Sequence, residues 1–398
     1  MNTLSSRRIP ADTESCAHPR LALIGPVMPP FRGGIAQYTA ELHRALSACC
    51  RLQTISFRRL YPAWLYPGDS DREPGIEQQH EPGVHYVLDA INPLTWLATA
   101  TDTASKGCDL AVINWWTLFW APGFALMANR LRARGVPVAF ICHNLFDHDS
   151  GSIKRGISTR LLSQADAYLV HASEQAETLR RLFPGKPVRI HPHPTDGRYP
   201  PATAVLPKRG RLELLFFGFI RPYKGLDVLV DALGRLADHE VHLTVVGEPW
   251  CAPEELREYV RASGAPNVEL HLEYVDANTA ANFFARADLV VLPYRSATGS
   301  AVAAVAYHYE KPILATRVGG LPDVVEDGRT GFLVDPDSPR QLAARLHTIN
   351  REELASIQVN VQTCKNRFTW CSLAGTLIDM AHDMAYGNRH DSHPNGSP

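Results

Sequence analysis

Two cations, Arg221 and Lys224, stand in a short connection between two apolar segments. The run LLFFG ends at Gly218 with the pattern of a buried strand, and a helical pattern begins near Gly225. Cations at the start of a helix oppose the helix dipole, so another interaction has to account for them. A bound diphosphate would do so, because both side chains bind phosphate oxygens and the backbone N–H groups of a helix start add to the attraction. The segment predicts a diphosphate site; two solvated loop charges are the alternative.

Two other strand-to-helix loops also suit an anion. In the first, Gly33 and Gly34 open a helix after the apolar run LALIG; in the second, Thr298, Gly299 and Ser300 precede the helical run AVAAVAY. Glycine lets a ligand approach the backbone, and the amides at the helix start would point at phosphate oxygens. A flexible loop and a simple helix cap are the alternatives. Neither loop has the spacing of the dinucleotide fingerprint, which disfavours a nicotinamide dehydrogenase.

One histidine, His143, follows a predicted strand in the segment ICHNLFDHD. A polar side chain at a strand end can face a ligand, although a histidine there also fits a purely structural role. Its neighbours Asn144, His148 and Asp149 are candidates for the acceptor side of a site. His148 with Asp149 could position or deprotonate an acceptor hydroxyl.

The elements that must position these residues alternate between short β-branched runs and amphipathic stretches, which is typical of parallel α/β sheets. The alternation is interrupted by a proline-rich segment, HPHPTDGRYPPATAVLPKRG, and then restarts. We therefore predict an α/β protein with two Rossmann-like parallel-sheet domains that face a central cleft. The predicted boundaries are 21–194 for the N-terminal domain, 195–210 for the linker and 211–368 for the C-terminal domain, with disordered ends at 1–20 and 386–398.

Bulk composition excludes several classes of protein. The 398 residues carry 40 basic and 41 acidic side chains, a balance that argues against a general nucleic-acid binder. None of the eight cysteines forms a C-x-x-C pair, so no zinc site is expected and a cytoplasmic setting is the simplest. The first 20 residues lack the apolar core of a signal peptide. No Asp-x-Asp pair stands at a strand end, so no site for Mg²⁺ is predicted.

The motifs together resemble those of the retaining GT-B-type glycosyltransferases of the group 1 family. FFGFIRPYKGLDVLVDAL resembles that family's Gly…Lys-Gly motif for the donor phosphates, and YEKPILATRVGGLPDVVEDGRTGFLVDPDSP resembles its segment with a Gly-Gly pair. PVMPPFRGGIAQYTAEL resembles its N-terminal glycine loop, and FICHNLFDHD resembles the loop with its active-site histidine. The resemblance covers about residues 21–349.

The resemblance implies a nucleotide-diphosphate-sugar donor in the C-terminal domain and an acceptor in the N-terminal domain. His143 would face the donor sugar, and Arg221, Lys224 and the loop at Gly218 would hold the diphosphate. The backbone at Tyr274 and Val275 would hold the base, and a helix at 369–385 would pack back on the N-terminal domain. No cofactor is implied; the acceptor would be a carbohydrate, a lipid-linked molecule or a small molecule, and a peripheral contact with the inner face of the membrane is left open.

The sequence departs from the family pattern at three positions, one of which is Phe219, where the family commonly has an arginine just after the glycine. The family often carries a glutamate pair around the phosphate turn, where this chain has Ala297 and Val305. The first glutamate usually contacts the donor sugar and the second the ribose. The resemblance implies a glycosyltransferase that needs no metal and retains the anomeric configuration of the donor sugar. Two alternatives stay open: a non-catalytic nucleotide-sugar-binding partner of a glycosyltransferase, and a sugar-nucleotide epimerase on the same fold.

Overall fold

The computed structural model describes residues 18–62, 71–73, 75–146, 151–194, 199–236, 240–297 and 299–390. Three of the predicted site residues lie outside these ranges: His148, Asp149 and Thr298. Of the two segments predicted to be disordered, only residues 18–20 and 386–390 are described. Within the described ranges the chain forms two α/β domains, each built on one parallel sheet. This confirms the predicted fold class.

The N-terminal domain contains a sheet of seven described strands in the order β3-β2-β1-β4-β5-β6-β7. The strands are β1 (Arg20–Ile24), β2 (Arg51–Arg59), β3 (Val84–Asp89), β4 (Leu110–Trp115), β5 (Val138–Cys142), β6 (Ala167–Val170) and β7 (Val188–Ile190). The helices are α1 (Gly34–Ser47), α2 (Pro93–Ser105), α3 (Ala121–Arg132), α4 (Ser152–Leu162) and α5 (Ser173–Leu182). Central strands such as β4 and β5 are buried along their whole length, because helices cover both faces of a parallel sheet.

The C-terminal domain repeats this design with six described strands in the order β10-β9-β8-β11-β12-β13. The strands are β8 (Leu212–Phe217), β9 (Val241–Val246), β10 (Val268–His271), β11 (Leu289–Leu292), β12 (Ile313–Thr316) and β13 (Gly331–Val334). The helices are α6 (Leu226–Gly234), α7 (Pro253–Ala262), α8 (Ala277–Arg286), α9 (Ala301–His308), α10 (Leu321–Val324), α11 (Pro339–Thr348) and α12 (Arg351–Cys364). A 3-10 turn at Pro222–Lys224 precedes α6.

The last helix, α13 (Trp370–His390), belongs spatially to the N-terminal domain. Its buried residues Leu373, Leu377 and Met380 pack in one cluster with Leu21 and Leu23 of β1. The helix continues five residues beyond the predicted end at 385, so the part of the predicted tail from 386 to 390 is helical. A long C-terminal helix on the opposite domain means that the chain crosses between the domains twice.

The predicted linker is anchored to the C-terminal domain along its described part. The backbone amides of Thr203 and Ala204 both donate to Asn282 Oδ1 on α8, each at 2.9 Å. Tyr309, which follows α9, donates through its hydroxyl to the Pro200 carbonyl at 2.7 Å. Residues 199–204 therefore move with the C-terminal domain.

Both sheets place a topological switch point at the cleft. In the first sheet β1 lies between β2 and β4, and in the second β8 lies between β9 and β11, so chain direction around the sheet reverses at these strands. Crevices at the carboxyl ends of such strands are where open α/β sheets bind ligands. In the parts of the chain that the structure describes, no helix has both the length and the apolar composition needed to cross a membrane.

Candidate active site

Two cavities lie at the carboxyl ends of the strands. The first, the C-terminal cavity, has a volume of about 400 Å³ and lies within the C-terminal domain. Gly218, Glu248, Glu273, Tyr274 and Val275 are among its lining residues. The sequence predicts a strand over Val268–Tyr274, but the strand ends at His271, so Tyr274 and Val275 belong to a loop and Tyr274 is 79% exposed. An exposed aromatic ring at the mouth of an apolar cavity offers a surface on which a planar ring could stack.

The second, the cleft cavity, has a volume of about 250 Å³ and lies between the domains. The N-terminal domain contributes His143, Asn144, His171, Gln175 and His193, together with Ile35 from the first turn of α1. The C-terminal domain contributes Gly299, Ser300, Ala301, Ala304, Gly320, Val324 and Phe368. Residues predicted from two separate loops, His143 with Asn144 and Gly299 with Ser300, are therefore brought together around one space.

One of the predicted diphosphate residues, Lys224, lies close to elements that line both cavities. Lys224 is buried in the turn after β8, and a Cβ placed on Gly218 would lie 3.2 Å from Lys224 Nζ and 3.5 Å from Val302 Cγ2 on α9. Gly218 lines the C-terminal cavity, whereas Val302 follows the turn at Gly299 and Ser300 that lines the cleft cavity. The Lys224 ammonium is therefore near the wall of the C-terminal cavity and near the start of the helix that borders the cleft cavity.

The charge at this point is not neutralised within the described residues. Burial first, and then the nearby Arg221 guanidinium, lower the pKa of Lys224 to about 8. Arg221 Nε is buried and finds no acceptor among the described residues, and its guanidinium lies over the exposed Trp250 ring. Two neighbouring cations with no carboxylate between them make a site that favours a multiply charged anion.

Two glycines near this point have different physical requirements. Gly218 has a φ of 89°, in the region that favours glycine, and the close Lys224 Nζ leaves little room for a side chain. Around Gly299, by contrast, a Cβ would meet no atom of the described residues within 4 Å. The close approach of a phosphate to this glycine stays a prediction.

The helix starts at the cleft have the geometry that the sequence predicted. Gly33, with a φ of 104°, is the N-cap of α1, and Gly34 is its first residue; Gln37 N donates to the Gly33 carbonyl at 3.1 Å. Ser300 is the N-cap of α9, and its Oγ accepts a hydrogen bond from Ala303 N at 3.3 Å. The Ser300 hydroxyl therefore serves as a cap, and the role of both loops in binding phosphate stays a prediction.

A chain of hydrogen bonds holds the His143 ring and determines which of its two nitrogens carries the proton. Its Nε2 lies 2.8 Å from Asn114 Oδ1, and Asn114 Nδ2 in turn donates to Thr39 Oγ1 at 3.2 Å. The Asn114 oxygen can only accept, so Nε2 carries the hydrogen and Nδ1 has the lone pair. Burial, and secondarily His193, lower the pKa of His143 to about 3. At neutral pH His143 is a hydrogen-bonding group and not a proton acceptor.

The third cavity lies on the N-terminal domain between α4 and α5 and has a volume of about 600 Å³. This α4–α5 cavity shares Asn144 and Gln175 with the cleft cavity, so the two are adjacent. Arg155 and Arg181 line it together with Glu174. Gln175 Nε2 also donates to the His143 carbonyl at 3.2 Å, which fixes the wall between the two spaces.

A hydrogen bond across the cleft holds the two domains together beside the site. Asp323 of α10 accepts from Ser173 N, the first residue of α5, at 2.6 Å. The carboxylate therefore caps a helix of the opposite domain, where negative charge is favoured.

Several cleft residues were missed by the sequence analysis. His171 and Gln175 were not singled out, and His193 was noted only as part of the proline-rich segment that begins with HPHP. The sequence predicts a strand over Ala167–His171, with His171 as its last residue, whereas the strand ends at Val170 and His171 follows it as His143 follows β5. Trp250 follows β9 in the motif GEPW, which has no feature of its own that indicates an arginine partner. Among the described residues, no group of three or more His, Cys, Asp or Glu side chains is arranged to hold a metal ion.

Comparisons with known proteins show the family of the chain. The family model described as "Glycosyl transferases group 1" matches residues 211–351, and the model described as "Glycosyl transferase 4-like domain" matches residues 33–196. A D-inositol 3-phosphate glycosyltransferase of Streptomyces avermitilis is 31% identical, with 91% of this chain and 86% of the relative covered. One of Xylanimonas cellulosilytica is 29% identical, with 87% and 91% covered.

Solved structures show the same fold at low identity. A sucrose-phosphate synthase from Thermosynechococcus elongatus has a TM-score of 0.63 at 20% identity, with 93% of this chain and 100% of that chain covered. Anabaena HepE in complex with UDP-glucose has a TM-score of 0.63 at 18% identity, with 92% and 100% covered. The chain belongs to the group 1 glycosyltransferases, GT-B enzymes that transfer a sugar from a nucleotide-diphosphate-sugar donor.

Proposed function

We propose that this glycosyltransferase binds its donor across the two cavities, with the base in the C-terminal cavity, the diphosphate beside Arg221 and Lys224, and the sugar in the cleft cavity. The observation that carries the proposal is the position of the Lys224 ammonium against Gly218, which lines the C-terminal cavity, and near Val302 of α9, the helix whose start lines the cleft cavity. A nucleoside diphosphate linked to a sugar has the same order of parts. HepE, which has a related fold, was solved with UDP-glucose, and this supports a nucleotide-sugar as the donor.

The residues stabilise the charge that develops when the donor breaks. As the bond between C1 of the sugar and the diphosphate oxygen breaks, the electron pair leaves with the oxygen. Arg221 and Lys224, two cations in a partly buried site, stabilise that negative charge. They supply charge of the kind that a metal ion provides in other enzymes, so transfer proceeds without a bound metal.

The acceptor hydroxyl attacks C1 on the face from which the diphosphate departs, and the configuration at C1 is retained. The hydroxyl oxygen forms the new bond, and its proton has to pass to a base. His143 does not take this proton, because burial holds its pKa at about 3. The departing diphosphate oxygen lies on the same face and receives it.

The α4–α5 cavity supports a hydroxylated acceptor that carries negative charge. It adjoins the cleft cavity at Asn144, and among its described lining residues the two arginines, Arg155 and Arg181, accompany one carboxylate, Glu174. Arginine forks suit carboxylate and phosphate groups. Two relatives are named for D-inositol 3-phosphate, an acceptor that has both hydroxyls and a phosphate.

The test is a panel of UDP-, GDP- and ADP-sugars with and without polyol phosphate acceptors, each with and without EDTA. We expect release of nucleoside diphosphate that depends on the acceptor, a product with the donor's anomeric configuration, and full activity in EDTA. Conversion of the donor sugar without acceptor would identify an epimerase. Tight binding without turnover would identify a non-catalytic partner. A strict requirement for Mg²⁺ or Mn²⁺ would contradict the role given to Arg221 and Lys224.

A further inference from the structure

Three neighbouring helices of the N-terminal domain share one outer surface. α2, α3 and α4 lie on the same face of the sheet, because each leads from one strand to another in the same direction across the sheet. α2 packs against α3, and α3 packs against α4. Each helix follows a parallel strand, so all three begin at the carboxyl edge of the sheet. The outer side of these helices is called the α2–α4 surface below.

The α2–α4 surface exposes large apolar side chains on all three helices. They are Leu94 on α2, Leu126 on α3, and Ile153 and Ile157 on α4. Leu94 is 73% exposed and Ile153 is 79% exposed, so both side chains project into solvent. Ile153 and Ile157 are four residues apart and therefore lie on one side of α4. Single exposed apolar residues are normal, but a group on adjacent helices calls for a partner.

The charged side chains of the same surface are mainly cations. α3 and α4 contain no aspartate or glutamate, whereas α4 carries Lys154, Arg155 and Arg160. Lys154 and Arg160 are exposed, and neither side chain has a hydrogen bond or an ion pair with a described residue. The surface therefore combines apolar side chains with positive charge that this part of the chain does not neutralise.

The starts of these helices also lack the carboxylates that a helix dipole favours. The first turns of α2, α3 and α4 contain no acidic residue, whereas those of α6, α7 and α12 in the C-terminal domain do. α4 even places Lys154 in its first turn, where the dipole opposes a cation. Both features become favourable when a layer of negative charge lies against the helix starts.

We propose that the α2–α4 surface binds a bilayer that contains anionic lipids. Ile153 and Ile157 insert among the headgroups, and Lys154 and Arg160 lie against the negative charge. Projecting aliphatic side chains between cations match this interface, because burial of apolar area and attraction to anionic lipid add to each other there. An acidic protein or a second copy of the chain would be the partner instead if the test below fails.

The α2–α4 surface borders the α4–α5 cavity. α4 supplies Arg155 and Thr159 to that cavity, so the same helix that contacts the bilayer also lines the space proposed for the acceptor. An acceptor held in the bilayer could then reach the cavity without leaving the membrane. This consequence rests on the proposed function, whereas the binding to lipid does not.

Co-sedimentation of the full chain with vesicles tests the contact. The vesicles contain phosphatidylcholine alone or phosphatidylcholine mixed with phosphatidylglycerol, and neither donor nor acceptor is present. We expect the wild type to bind the mixed vesicles at about 0.1 M salt and to be released at about 1 M salt, because the screening length falls from about 10 Å to about 3 Å. No binding to the mixed vesicles, or equal binding to both kinds, would overturn the proposal.

Two double variants separate the charged contribution from the apolar one. Lys154→Gln with Arg160→Gln should lower the partition coefficient about 25-fold, or about fivefold for each charge removed. Ile153→Ser with Ile157→Ser should lower it at least about tenfold, because the inserted apolar area is lost. A wild-type partition coefficient in either double variant would overturn the proposal.

Matched controls lie on α12 of the C-terminal domain, where Arg351 and Val359 are also exposed. Arg351→Gln and Val359→Ser should leave the partition coefficient unchanged, and a loss as large as in the α4 variants would show that the effect is not specific to this surface. Sedimentation velocity without vesicles examines the other partner. Self-association that the α4 variants abolish, without binding to vesicles, would make the surface a dimer interface and overturn the proposal.

Hydrogen exchange on the unaltered protein covers the case in which the α4 variants unfold. The first-turn amides of α4 have no partner within the helix, so they exchange readily unless something covers them. Mixed vesicles should slow exchange at the start of α4 and leave α12 unchanged. Equal exchange at the start of α4 with and without vesicles would contradict the contact. Lipid binding without glycosyl transfer would count against the proposed function and not against this surface.

Discussion

The guanidinium carbon of Arg221 lies over the Trp250 ring, 3.6 Å from the ring centroid. The backbones that carry them are also joined: Trp250 N donates to the Ile220 carbonyl at 3.0 Å, and Ile220 N donates to the Glu248 carbonyl at 2.9 Å. The loops after β8 and β9 thus hold the arginine and the ring in one orientation. Directly after the glycine, where the family commonly has an arginine, this chain has Phe219. The nearby arginine of this chain is Arg221, and the aromatic ring of Trp250 holds it in place.

Replacement of Trp250 should weaken the diphosphate site without loss of charge. A cation–π contact contributes about 0.5–2 kcal/mol, so Trp250→Ala should bind UDP about threefold to tenfold more weakly. Trp250→Phe should recover part of this affinity, because a smaller aromatic face remains. Calorimetric titration with UDP measures both variants. Unchanged affinity in Trp250→Ala would show that Arg221 needs no support from the ring.

Arg221→Ala provides the comparison for that experiment. It removes the charge itself, and a charge-assisted hydrogen bond contributes about 1.5–3 kcal/mol, so turnover should fall by at least about tenfold. Thermal unfolding should be close to that of the wild type, since Arg221 Nε has no partner among the described residues. Near-normal activity would rule out Arg221 as a diphosphate ligand.

Diphosphate binding should depend on pH through Lys224. The pKa of this ammonium is about 8 in the free protein, and a bound diphosphate raises it. Below pH 8 the group is already charged and affinity is level. Above pH 8 binding must take up a proton, so affinity falls by up to about tenfold per pH unit until the pKa of the complex is reached.

Titration in two buffers with different ionisation enthalpies counts the proton taken up at pH 9. Lys224→Arg keeps the charge at every pH, so its affinity should be level across the same range. A sloping profile in Lys224→Arg would assign the titration to another group.

Gly218 and Gly299 form a matched pair for substitution. Gly218→Ala should lower both the unfolding midpoint and activity, because the backbone has a positive φ and the new methyl group would crowd Lys224 Nζ. Gly299→Val should leave the unfolding midpoint nearly unchanged, since space is open around that residue. It should nevertheless weaken UDP binding by about tenfold if a phosphate lies against the turn. Wild-type UDP affinity in Gly299→Val would show that the turn is only a helix cap.

The interdomain hydrogen bond between Asp323 and Ser173 should affect closure. Asp323→Ala leaves the first amide of α5 without its cap, so the closed arrangement loses about 0.5–2 kcal/mol. We expect a higher donor KM with a smaller change in UDP affinity, because UDP contacts chiefly one domain. Small-angle scattering with and without UDP-glucose should show a wider distribution of domain separations in the variant. Asp323→Asn, which keeps an oxygen acceptor, serves as control.

Most strands and helices could be predicted from the sequence because their signal is local. Three strands begin and end where the sequence predicts: Leu212–Phe217, Val241–Val246 and Ile313–Thr316. Each is a short apolar run that is bounded by turn residues and buried on both faces of the sheet. The strand Gly331–Val334 was missed: four residues carry little periodicity, and its pairing with Ile313–Thr316 supplies what the local pattern lacks.

The candidate site divides in the same way. The sequence pattern indicates where strands end and where helices begin. This local pattern was enough to select Arg221 and Lys224, the glycine loops and His143 as candidate site residues. Which loops meet was decided by the tertiary structure: strand order places β8 beside β11, and the cleft places His171 opposite Gly299. The sequence by itself determined the two α/β domains and the residue types that can bind a diphosphate. Only the tertiary structure decided how two of these side chains are held. Trp250 contacts Arg221, and His171 contacts the His191 carbonyl, and in each pair the residues are distant in sequence or separated by a strand. Because folding is needed to bring them within reach, the orientation of Arg221 and the tautomer of His171 could not be predicted from the sequence.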